Sequence, residues 1–76
     1  MPLSLLEAVQ VAIDELLDKH NISVETKDLT SVEKFNNEYE LLFHSKGIPE
    51  NSEFSSRCLV DVLSGSTRIE IQKNDS

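Results

Sequence analysis

From Leu5 to His20, apolar and polar positions recur with the period of a helix. On a wheel at 100° per residue, Leu5, Leu6, Ala8, Val9, Ala12, Ile13, Leu16 and Leu17 fall in one half. Glu7, Gln10, Asp14, Glu15 and Asp18 fall in the other. Ser4 and Glu7 have the spacing of a capping box, and Pro2 stands upstream, where its missing N–H does no harm. Asn21 suits a left-handed stop, and Ile22 can close over the helix end. This pattern predicts an amphipathic helix over residues 5–20.

The period then shortens. Ile22 to Lys27 alternates apolar and polar residues with β-branched side chains on the inward positions, which predicts a short strand. Ser31 to Lys46 fits two periods. As a helix it has a second capping box in Thr30 and Glu33, a stripe of Val32, Phe35, Tyr39, Leu42 and Phe43, and a stop at Gly47-Ile48-Pro49. As strands it has a hairpin turn at Asn36-Asn37, after which Tyr39, Leu41 and Phe43 alternate. The end signals favour the helix. The two mid-segment asparagines oppose it, as does Leu41, which falls off the stripe. Glu50 to Ser55 reads as a loop. Arg57–Leu63 and Thr67–Lys73 flank Ser64-Gly65-Ser66 as a hairpin, with Cys58, Val60 and Val62 on one face and Ile69 and Ile71 opposite.

The expected fold is α+β: a small two-layer domain with two helices on one face of a short, mainly antiparallel sheet, in the order α-β-α-β-β. One helix on a four-stranded meander is the alternative. Residues 1–76 read as a single domain, with 73–76 as a frayed tail.

Charge narrows the function classes. The chain has 14 acidic against 7 basic residues, a net charge of -7. Direct nucleic-acid binding through a basic groove is not expected, because that affinity comes from Lys and Arg neutralising phosphates. No apolar run approaches the ~20 residues of a membrane span. The start of the chain lacks the basic region of a signal peptide. One cysteine makes neither an internal disulfide nor a cysteine-based zinc site, and an unpaired thiol suits the cytoplasm. A domain of this size buries only ~60% of its unfolded surface, so a homo-oligomer or a permanent partner is a fair expectation.

Candidate chemistry is sparse. Cys58 is expected in the core, since free cysteine is among the most buried residue types. His20 and His44 each fall at a predicted helix end, where a cation complements the dipole. Their spacing is not that of a metal site, and no metal or other cofactor is expected. With two glycines in the chain, a phosphate-cradling loop is not expected either. The unusual feature is the helix itself. Glu7, Asp14, Glu15 and Asp18 surround Val11 on the face turned from the core, with no basic residue before Lys19. Three of these acids sit toward the negative end of the helix dipole, and Asp14 with Asp18 is a like-charge i,i+4 pair. A face that slightly weakens its own helix points to binding, with solubility as the plain alternative.

The sequence therefore reads as a non-enzymatic acidic protein. Its helix face of Glu7, Val11, Asp14, Glu15 and Asp18 would bind a basic or mixed-charge surface of a partner protein, as an inhibitor, adaptor or antitoxin-like partner. The alternatives are a self-associating structural subunit and an acidic mimic of nucleic acid.

Overall fold

A computed structural model describes residues 2–46 and 53–74. Helix α1 spans Leu5–His20 and has the predicted ends. The Ser4 hydroxyl accepts from the Glu7 N–H, and the Glu7 carboxylate accepts from the Ser4 N–H. Asn21 closes the helix at φ 55°, and the Ile22 N–H reaches back to the Leu16 carbonyl.

Four strands follow: β1 (Leu29–Phe35), β2 (Glu38–Lys46), β3 (Glu53–Asp61) and β4 (Thr67–Asn74). They form one antiparallel sheet in the order β1-β2-β3-β4. Among the described residues the fold is α+β with a single α-helix, and the four-stranded meander is the arrangement adopted.

The second helix expected over 31–46 is a hairpin instead. Asn36 takes the left-handed φ of 53° that a two-residue turn demands, and Asn tolerates that conformation well. Alternation then places Tyr39, Leu41 and Phe43 on the core side of β2. Leu41, off the stripe of a helix, is 0% exposed here. The cap and stop signals are local, whereas burial of a period-2 face is a gain shared by the whole sheet. The stop at 47–49 lies outside the described residues.

Other boundaries shift for similar reasons. Residues 22–27 form no strand. They carry no regular element until a 3-10 turn at Thr26–Asp28, where the Asp28 carboxylate accepts from the Glu25 N–H. Glu53, Phe54 and Ser55 belong to β3 rather than to a loop, because Phe54 pairs with Ser45 on the core side. At the far end of that strand, Val62 and Leu63 leave β3 for a turn. The Asp61 carboxylate accepts from the Leu63 and Ser64 N–H groups, and Gly65 supplies a φ of 76°. Lys73 and Asn74 are paired in β4 rather than frayed, and the rest of the predicted tail lies outside the described residues.

The helix packs over β2, β3 and β4. Ala8, Val9, Ala12 and Leu16 meet Val24, Leu41, Phe43, Cys58 and Val60 in one buried cluster. The two alanines let the helix approach the larger side chains of the sheet. One end of the sheet is tied by backbone bonds: the Val62 N–H donates to the Asn37 carbonyl, and the Leu3 N–H to the Val62 carbonyl. Among the described residues no helix covers the opposite face of the sheet.

Candidate functional site

The five residues of the acidic face do not form one uniform patch. Glu7 is exposed but committed to the helix cap. Hydrogen bonds from the Ser4 backbone, and then its hydroxyl, hold the Glu7 carboxyl below the ordinary carboxylate range. Asp14 and Asp18 are exposed, and Asp14 accepts from the Gln10 amide at 3.0 Å. Glu15 is partly buried and ion-paired to Lys19 at 3.0 Å. That contact is the partner of a carboxylate oxygen otherwise without a hydrogen-bond donor. Val11, expected to face away from the core, is half-buried and packs against it, next to the partly buried Glu15 on the same flank of α1.

The wheel places Leu6 and Leu17 on the buried side, and they are not there. Leu6 is 77% exposed and Leu17 is 54% exposed. They lie eleven positions apart, which brings them within about 20° of each other around the helix, and they border the side occupied by Asp14. The exposed side of α1 is thus an apolar line beside carboxylates. The signal is present in the width of the apolar arc. Eight residues span more of the wheel than a single sheet face can cover.

The bare face of the sheet carries a second cluster. Arg57, in the middle of β3, donates from Nε to Glu40 Oε2 at 2.8 Å and stands 3.6 Å from Glu70. The bond to Glu40 and its charge, helped by Glu70 and Glu33, raise the Arg57 pKa. Beside it is a shallow depression of about 680 Å³ lined by Thr30, Leu42, His44, Ser55 and Gln72, among others. Sequence reading missed this face because its members are scattered over four strands and meet only through the register. Compared with known protein families, curated proteins and solved structures, the chain matches none of them.

Within that depression His44 Nδ1 is 3.5 Å from Ser55 Oγ, and His44 Nε2 is 3.8 Å from Glu53. The three are ladder neighbours, so their proximity follows from register alone. Ser55 stands in mid-strand, where backbone amides are committed to adjacent strands and none is aimed at a developing oxyanion. His44 therefore lies in a strand rather than at a helix end, whereas His20 occupies the last turn of α1 as expected. Cys58 is fully buried, and burial pushes its thiol up to about 11. A thiol so placed is a core residue and a poor nucleophile at neutral pH. Among the described residues no group of His, Cys, Asp and Glu side chains is arranged to hold a metal ion. No described helix is long and apolar enough to cross a membrane.

Proposed function

We propose that this domain is a non-enzymatic binding module whose helix α1 receives a basic, amphipathic segment of a partner protein. The observation that carries the reading is the pairing of exposed Leu6 and Leu17 with the carboxylates of Asp14 and Asp18 on one side of a rigid 16-residue helix. An apolar anchor supplies affinity on desolvation. Adjacent acids select a cationic partner and speed encounter. Neither exposed leucine contributes to the core, and neither exposed aspartate has an ion-pair partner among the described residues. An inhibitor, adaptor or antitoxin-like role is consistent with such a face.

The test uses the whole chain as bait at low and high salt, with nuclease present. It compares the wild type with Asp14→Lys/Asp18→Lys and with Leu6→Ser/Leu17→Ser. The charge variant is expected to weaken the recovered complex and flatten its salt dependence. The leucine variant is expected to weaken it while leaving the salt dependence in place. A partner retained equally by all three proteins would remove α1 from the binding surface.

A further inference from the structure

The described sheet has two free edges, at β1 and β4, and they are not equivalent. The register of β1 with β2 is interrupted between Leu29 and Ser31, and Lys34 stands on this strand over the Tyr39 ring. An irregular edge bearing a lysine resists further pairing. β4 has no such interruption, and its one lysine, Lys73, stands next to the strand's end, beyond residues 67–71. Its register with β3 is unbroken from Val60↔Thr67 to Glu53↔Asn74, and it contains no proline or glycine.

The direction of its backbone groups follows from the turn. The Asp61 N–H donates to the Ser66 carbonyl. Successive residues of a strand turn their backbone groups to opposite sides. Arg68, Glu70 and Gln72 therefore bond to β3, and Thr67, Ile69 and Ile71 offer their N–H and C=O groups to the free edge. On the helix side, Ile69 and Ile71 are only half-buried. On the bare side, Arg68 and Glu70 are exposed.

We propose that β4 pairs antiparallel with β4 of a second copy, about a two-fold axis through Ile69, to give one continuous sheet. In this register Arg68 lies opposite the partner's Glu70, and Glu70 opposite the partner's Arg68. Ile69 meets the partner's Ile69 and Ile71 meets the partner's Thr67, so both half-buried isoleucines gain cover. Backbone bonds are exchanged at Thr67, Ile69 and Ile71, the residues whose groups face outward. A dyad through Arg68 or Glu70 would instead set that charge against its own copy, which disfavours those registers. The edge of β4 and the outer side of α1 are separate surfaces, so this inference stands or falls apart from the binding role of the helix.

The experiment is sedimentation equilibrium of the full chain over a concentration series, with circular dichroism to verify folding of each variant. The wild type is expected to dimerise. Arg68→Glu and Glu70→Arg should each weaken self-association by about tenfold or more, since each places like charges opposite one another twice. An equimolar mixture of the two variants should recover the dimer, because two glutamates on one chain would then face two arginines on the other. Thr67→Pro, which removes only an outward N–H at the first strand residue, should also weaken the dimer. Amide exchange of wild-type Ile69 and Ile71 should slow as concentration rises, and this readout needs no variant. A wild type that stays monomeric at about 1 mM overturns the proposal. So does a dimer indifferent to both charge reversals, and so does a mixture that fails to reassociate.

Discussion

Cys58 illustrates how one buried atom ties stability to pH. Its thiol sits in the cluster between helix and sheet, and burial raises its pKa from an ordinary 9.0 to about 11. Below 9.0 the thiol keeps its proton in both folded and unfolded chains, so its full contribution is present. Between 9.0 and about 11 the unfolded chain releases the proton and the native state does not. The unfolded state gains, and stability falls as pH rises through this window. Urea midpoints of the wild type should therefore decline more steeply with pH than those of Cys58→Ala, whatever the variant loses at neutral pH. Parallel declines would place the thiol in contact with water. Iodoacetamide should likewise label the denatured chain and spare the native one.

At the scale of elements, α1 is the part whose ends and register the amino-acid pattern states most directly. Ser4 and Glu7 satisfy each other's backbone groups, so Ser4→Ala should cost about 1 kcal/mol, read as a lower denaturant midpoint with an unchanged slope. The Glu7 carboxyl is held below its ordinary range by the same bonds, so its share of that stability is lost as pH falls through its folded pKa. A Ser4→Ala protein should show less acid sensitivity in that range. The hairpin of β1 and β2 is harder to read because its sequence satisfies two periods at once. Thr30 and Glu33 imitate a cap, yet Thr30 marks the interruption in β1 and its hydroxyl donates to the Leu42 carbonyl. Leu41 is the discriminating residue: stranded on a helix, it becomes a core residue in a strand. The acidic side of α1 is also legible, but the exposure of Leu6 and Leu17 depends on how far around the helix the sheet can reach. The Arg57 cluster is beyond reach, since Glu40, Arg57 and Glu70 meet only after three strands are in register.

Over the whole molecule, acid dominates both outer surfaces. Glu7, Asp14 and Asp18 occupy the outside of the helix, while Glu33, Glu38, Glu40, Glu53 and Glu70 are distributed over the bare face of the sheet around Arg57 and Arg68. Attraction is local: Arg57 with Glu40, and Glu15 with Lys19. Repulsion is global, because a net charge of -7 is confined to a radius of gyration of 12.2 Å. Salt weakens the repulsion more than it weakens these pairs, because the Glu40 and Glu15 carboxylates are partly buried and less screened, while the repulsion acts across the exposed acids at once. The repulsion should win. Raising sodium chloride from about 20 to about 200 mM shortens the screening length from roughly 20 to 7 Å, so the melting temperature should rise. The same change should have a smaller effect on Asp14→Lys/Asp18→Lys, whose net charge is four units less negative, at -3. A melting temperature that falls with salt would mean that the Arg57 and Glu15 pairs outweigh the repulsion. The bare sheet face would then be a source of stability in its own right. A rise that is halved or more in the lysine variant would place much of the destabilising field on α1, on the side where a cationic partner would relieve it.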